Sequence, residues 1–294
     1  MDNMQSILTR QNEEKNINKL CASKQIYVGA KRIFMLQILL TVPITIFLSL
    51  TKLILSFWHI DISAYVVAYG IGVAVSDLIL ITPFISEIKK NGAKVQELFD
   101  CAVYELKWHR IVVGKKPEQE LINKASRKFK LSGKPIAKLY DWYPEEIAGQ
   151  PALKSIVLCQ KTNLNYDSSI RKLFKNTVLV VGVGTLLLLT VFALIQNYSV
   201  KNFFIQLGSS FLPVFVLAIK IFIDQNKTLK SSEELKGSIE GILEDSDNIS
   251  EENIRSVQDR IYTNRKDSGL VPEFFYDQKR DKLEDEMHDN ASNY

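Results

Sequence analysis

Four long runs of nearly uncharged residues constrain this chain more than any other feature of its 294 residues. The first, Ile33 to Thr51, is nineteen residues without a charge and is rich in Leu, Ile and Phe. The second, Ile62 to Ser86, is interrupted only by Asp77, and the third, Asn176 to Val200, carries no charge. The fourth runs from Asn202 to Ile223 with Lys220 in its last turn. A helix of about 20 apolar residues crosses a hydrocarbon core of about 30 Å. Backbone polar groups in lipid must be satisfied internally, which selects helices for such runs. Short linkers join the runs in pairs, so the pattern predicts an all-α membrane protein whose four transmembrane helices form two hairpins. Average composition, 46% hydrophobic and 24% charged, conceals this, because the charges are gathered outside the runs.

Basic residues set the expected orientation. Six precede the first run (Arg10, Lys15, Lys19, Lys24, Lys31, Arg32), and eighteen lie between Glu87 and Lys175 against ten acids. The linkers on the other face retain only Lys52 and Lys201. By the positive-inside rule both termini and the central region are cytosolic. The first run follows some thirty polar residues, unlike a cleavable leader, and is expected to be a retained anchor. The division is residues 1–32 cytosolic, 33–86 hairpin one, 87–175 a basic cytosolic insert, 176–223 hairpin two and 224–294 an acidic cytosolic tail. The insert and tail carry net charges of +8 and −8, which invites them to pair. Cys21, Cys101 and Cys159 all fall in these cytosolic segments and are expected as reduced thiols with no CxxC pair.

Helical periodicity marks the soluble part. Val95, Leu98, Phe99, Ala102, Val103 and Leu106 extend a helix straight out of the second span. Leu121, Ile122, Ala125 and Phe129 define another between a break at Gly114 to Pro117 and the loop Ser132 to Pro135. In the tail, Leu235, Ile239, Ile242 and Leu243 predict one helix. Ser250 is placed to cap a second, with Ile249 and Ile254 as a hydrophobic staple and Arg265 and Lys266 at its negative end. Residues after Met287 are expected to be disordered. No segment alternates as a strand does.

Motifs of catalysis and cofactor binding are missing. Gly114-Lys115 lacks the glycine that a phosphate loop needs five residues earlier, and Gly182 and Gly184 sit inside a span, where they read as helix-packing positions. Neither HExxH nor GxSxG occurs, and the three histidines stand apart from the cysteines. No enzyme activity, cofactor or metal is expected. What remains is a set of aromatic, amide and cationic residues: Trp108, Arg110, Trp142, Tyr143, Gln160, Asn163, Tyr166, Arg171 and Arg265. Ring faces can stack on bases and cations can hold phosphates, so this set is the candidate ligand site. The competing reading is that the basic region only marks topology or binds anionic headgroups while the tryptophans fill a small core.

The two hairpins flanking an insert, with Asp141-Trp142-Tyr143, the run Cys159-Gln160 through Asn163 to Tyr166-Asp167 and Arg171, and the tail run Ile261-Tyr262 with Arg265, Val271-Pro272, Phe275-Tyr276 and Arg280, resemble one bacterial family. It is the SMODS-associated four-transmembrane family of pore-forming effectors, and the likeness covers nearly the whole chain. The resemblance implies a CBASS-like antiphage system, in which a cyclic oligonucleotide second messenger, and no DNA or RNA polymer, controls a bundle that perforates the inner membrane. Tyr166 stands where a tryptophan precedes the aspartate in that pattern. Other classes remain in view: a non-conducting scaffold or receptor recruiting a cytosolic protein, and a small transporter.

Two hairpins are too few helices to enclose water, so a pore requires a homo-oligomer in the lipid bilayer. Ala68, Gly72 and Ser76 offer small residues four apart for close approach. Asp77, placed near mid-bilayer by counting back from Glu87, should face the bundle interior. There it either pairs with hydroxyls such as Thr185 or Thr190 or lines a cation pathway, and Pro43 and Pro213 offer kinks through which a signal could move it.

Overall fold

The computed structural model describes residues 2–143, 145, 149–245 and 248–276. Among them the regular structure is helical throughout. Asp2–Gln11 (α1) leads into Glu14–Thr41 (α2), which stops at Val42 because Pro43 cannot continue the hydrogen-bond ladder. Pro43–Ser56 (α3) finishes the first span at a kink. Ser63–Ser76 (α4), a π-helical turn at Asp77–Ile81 and Thr82–Tyr104 (α5) make the second. Arg110–Val113 (α6) and Gln119–Lys130 (α7) belong to the insert. Ala152–Ile195 (α8) contains the third span. Val200–Phe203 (α9), a second π-helical turn at Phe204–Gly208 and Ser209–Glu244 (α10) contain the fourth. Glu251–Asp267 (α11) follows, and residues 273–276 are helical again.

Four helices are long and apolar enough to cross a membrane, and each continues well beyond it. At 1.5 Å per residue a helix of 44 residues is roughly 65 Å long, about twice the hydrocarbon thickness. The sequence marks the span by its lack of charge, but charge does not end a helix, so the helical start of the first span at Glu14 was not legible. The extensions form a helical head. Its core gathers Ile17 and Leu20 from α2, Phe99 and Val103 from α5, Val157 from α8, Leu235 and Ile239 from α10, and Ile254 and Ile261 from α11. Only the helix expected through Leu106 falls short. It ends at Tyr104, Glu105 takes a left-handed conformation (φ 59°), and Leu106 packs on the core from outside the helix.

In the membrane, spans one, two and four pack together, whereas span three rests mainly on span four. Gly182 faces Ala218 across that contact, where a Cβ would fit at an ordinary 3.9 Å, while Gly184 faces open space. Gly70 lets span two approach the Pro213 ring, which a Cβ would meet at 2.9 Å. Gly72 points outward with nothing near it.

Ser250 caps α11 as expected: its Oγ accepts from the Asn253 amide at 3.1 Å while its own amide donates to Asn253 Oδ1 at 3.0 Å. Ile249 and Ile254 both pack into the head core, completing the staple. Ser250→Ala is expected to cost about 1 kcal/mol, read as a lowered melting temperature of the detergent-solubilised protein.

Candidate functional site

The expected ligand residues do not form one site. Tyr143, Gln160, Asn163 and Arg265 meet in a buried network whose centre the sequence did not reveal: Glu97 and Asp100, one turn apart on α5 and both 0% exposed. Arg265 is paired with Asp100, and Arg255 Nη2 with Glu97 at 2.7 Å. Gln258 bridges the two acids, its Nε2 donating to Glu97 Oε2 at 2.7 Å and Asp100 Oδ2 at 2.9 Å. Its Oε1 accepts from Gln160 Nε2 at 3.0 Å. The Tyr143 hydroxyl donates to Asp100 Oδ1 at 3.1 Å and accepts from Tyr104 at 2.6 Å and from Asn163 Nδ2 at 3.2 Å. Burial and the Asp100 charge together push the Tyr143 phenol far above its ordinary range. Burial works against the Arg265 charge, yet Asp100 more than offsets it and holds the guanidinium firmly protonated. Apart from Gln160 Oε1, which is buried without a partner, these groups bond to one another, so the network ties α5, α8 and α11 together. A tandem of acids at i, i+3 on an apolar helix face was its sequence signal.

Arg171 lies elsewhere, at the junction of head and membrane. Its Nη1 donates to Gln225 Oε1 at 3.0 Å and to the Gly269 carbonyl at 2.5 Å. Gln225 Nε2 in turn donates to the Leu270 carbonyl at 2.9 Å. These bonds hold the segment after α11 as a strap across the inner ends of the spans. Val271 and Phe275 pack with Phe34 of α2, Phe174 of α8 and Ile221 of α10, and the Phe275 ring lies 4.9 Å from that of Phe174. A Cβ at residue 269 would stand 2.6 Å from Gln225 Nε2, so a side chain there would displace the amide that holds the strap.

Trp108 and Arg110 are on another side of the head. Trp108 donates to the Gly114 carbonyl at 2.8 Å and packs on Val113 and Tyr262, and Arg110 is exposed. Trp142 is half-buried. It donates to Asn163 Oδ1 at 3.3 Å, and Lys24 Nζ sits 5.0 Å from its ring centroid. Tyr166 is on α8, three residues beyond Asn163, and its side chain lies outside the described residues, as do Arg280 and everything after Met287. The strap also brings an acid to α2. Glu273 Oε2 is 2.6 Å from Lys31 Nζ, and Lys31 lies 3.9 Å from the Tyr276 ring centroid. Burial works against the Glu273 charge, but Lys31, with Lys134 and Lys24 behind it, draws the carboxyl below its ordinary range.

Asp77 has partners different from those expected. Thr185 and Thr190 bond their own helix carbonyls at 2.8 and 2.9 Å. Asp77 instead meets Lys220 Nζ at 2.8 Å, Thr82 Oγ1 at 2.8 Å and Gln37 Nε2 at 2.5 Å. Gln37 is five residues from Arg32 and Lys220 four from Asp224, so the partners of Asp77 stand nearer the charged ends of their spans than a count of ten residues back from Glu87 implies. The π-helical turn and the continuation of the helix into the head mislead a count back from Glu87. Among the described residues no group of three or more His, Cys, Asp or Glu stands together as a metal site. All three cysteines are buried and free.

Four apolar helices that continue into a helical head, with a strap packed back onto the spans, define a four-span helical membrane protein. The chain belongs to the SMODS-associating 4TM effector domain family, whose model matches residues 5–294. It is 28% identical, over 96% of its length and 95% of the relative's, to a probable CBASS effector molecule of Bacillus cereus (strain VD146). No solved structure matches it.

Proposed function

We propose that this protein is a nucleotide-controlled pore-forming effector of CBASS antiphage defence, with head and termini cytosolic at the inner membrane and a homo-oligomeric bundle as the pore. The observation that carries this reading is the position of Glu273. The strap carboxylate pairs with Lys31, the charges of Lys134 and Lys24 act on it from farther off, and Lys24 itself stands over the half-buried Trp142 ring. Phosphates of a cyclic oligonucleotide are chemically matched to the same cations, and a base to the indole face. A phosphate that displaces Glu273 releases the strap from the inner ends of three spans, so ligand charge becomes helix movement. In this reading Trp142, Asn163 and Tyr166 face the ligand. Tyr143, Gln160 and Arg265 hold the frame, Arg171 holds the strap, and Trp108 and Arg110 lie on a second basic surface. The outward Gly72, with Ala68 and Ser76, provides the face for subunit contact.

The test uses purified full-length protein in dye-loaded liposomes with a panel of cyclic di- and trinucleotides. One ligand should release dye. Trp142→Ala should weaken its binding by about 1 to 3 kcal/mol in calorimetry without changing membrane insertion. Glu273→Gln, which empties the lysine cluster of its internal anion, should leak at lower ligand concentration. Failure of every nucleotide to bind or to release dye would reject the reading in favour of a non-conducting scaffold.

A further inference from the structure

The first span carries a stripe that lipid exposure cannot explain. Gln37, Thr41, Thr45, Ser49 and Lys52 recur at intervals of four and three, hence on one helix face, and each is between 2% and 6% exposed. This face is turned inward against spans two and four, while the neighbouring Phe47 is 66% exposed on the outer side. The stripe runs about 22 Å along the helix at 1.5 Å per residue, most of the hydrocarbon thickness. Both π-helical turns of the bundle meet it. At the inner end the turn at Asp77–Ile81 brings Asp77 to Gln37, with Lys220 and Thr82 joined to it. At the outer end the turn at Phe204–Gly208 turns the Gln206 carbonyl toward Lys52 Nζ, 2.9 Å away.

Two features of the seam are costly in a structure that only needs to pack. Thr45 Oγ1 and Ser49 Oγ, midway along it, are buried without a hydrogen-bond partner, although a helical hydroxyl can ordinarily reach its own i−4 carbonyl. Lys52, at the outer end of the span, is buried, donates to a carbonyl and makes no ion pair among the described residues, the exposed Asp61 carboxylate acting on its charge only from a distance. Asp77 is answered by Lys220, so the seam's net charge is that of Lys52.

We propose that the polar face of span one is the wall of the conducting pathway, widened when spans two and four part from it, and that the pathway favours anions. The proposal rests on the pore reading above and deepens it. The preference reverses the cation pathway expected from Asp77 alone: a ring of Lys52 ammonium groups, one per subunit, attracts anions and repels cations at the outer end.

Cysteine substitutions at three positions test it in the full-length protein in liposomes, with and without the nucleotide panel. The native cysteines are buried and supply the background. Thr45→Cys and Ser49→Cys should react with a water-soluble methanethiosulfonate reagent, detected by intact mass, and react faster with the sulfonatoethyl than with the trimethylammonium form. Phe47→Cys, on the lipid side, should stay unmodified. In planar bilayers under a KCl gradient, Lys52→Gln should move the reversal potential from the chloride side toward zero while the parent keeps it. Labelling at 45 and 49 no greater than at 47 under every condition, or a cation-selective parent, overturns the proposal. Dye release with silent cysteines at 45 and 49 would leave the pore reading standing and remove this one. Reactive cysteines without any dye release would remove both, because a hydrated seam that passes nothing is not a conducting pathway.

Discussion

Replacing Arg265 by methionine is expected to unfold much of the head. Asp100 is 0% exposed, and without Arg265 it keeps only two neutral donors, the Tyr143 hydroxyl and the Gln258 amide. Glu97, a turn away, is a second buried acid whose carboxyl is pushed up first by burial and then by Asp100 itself. Removing one partner of a buried ion pair typically costs about 3 to 5 kcal/mol, because the surviving charge is stranded out of water. Native domains hold only about 5 to 15 kcal/mol in reserve, so the loss is a large share of the total. Arg265→Lys should cost less but still measurably, since an ammonium keeps the charge and loses the planar fork. Asp100→Asn added to Arg265→Met should recover part of the loss by removing the stranded charge. Thermal unfolding in mild detergent gives the order: parent, lysine variant, double variant, methionine variant. A methionine variant as stable as the parent would mean that water reaches Asp100.

What the sequence made legible and what it hid divide along physical lines. Span lengths and number were readable because lipid forbids charge over a fixed thickness, and the α11 cap was readable because Ser250 and its staple act within five residues. Pairings across long separations left no such mark. Arg171 has the same donors whether it meets a phosphate or the Gly269 carbonyl, and only the path of the strap decides between them. The same holds for Arg265 and Asp100, 165 positions apart. Trp142 was readable as an aromatic beside cations, but its cation is Lys24, from an N-terminal segment that carried no periodic signal. The seam on span one was within reach, since polar residues at every fourth position of an otherwise apolar run state which face avoids lipid. The π-helical turns that close its two ends were not, because they arise from packing and not from local preference.

The pair Lys220 and Asp77 joins span four to span two beside Gln37 of span one, so its two halves should be separable by charge. Asp77→Asn preserves shape and can still accept from Gln37 and Thr82, yet it leaves the Lys220 ammonium with the Thr82 hydroxyl alone among its described partners. Lys220→Met leaves a carboxylate in its place, held by one amide and one hydroxyl. An unpaired charge within a span costs about 2.5 to 3.5 kcal/mol on insertion scales, somewhat less near the edge, where a lysine can snorkel to the interface. Each single variant is therefore expected to be destabilised, Lys220→Met more than Asp77→Asn, because the aspartate is too short to reach the headgroups. The double variant removes both charges and should be close to the parent, since a buried pair is often matched by an uncharged one of similar volume. The coupling expected in the cycle is up to about 3 kcal/mol. Thermal aggregation of the detergent-solubilised protein reads the stability. Dye release without nucleotide reads the clamp: single variants should leak at rest and the double variant should not. Additive losses in the double variant would mean that the two groups act independently, and the clamp between spans two and four would have to be sought in the contact of Gly70 with Pro213 instead.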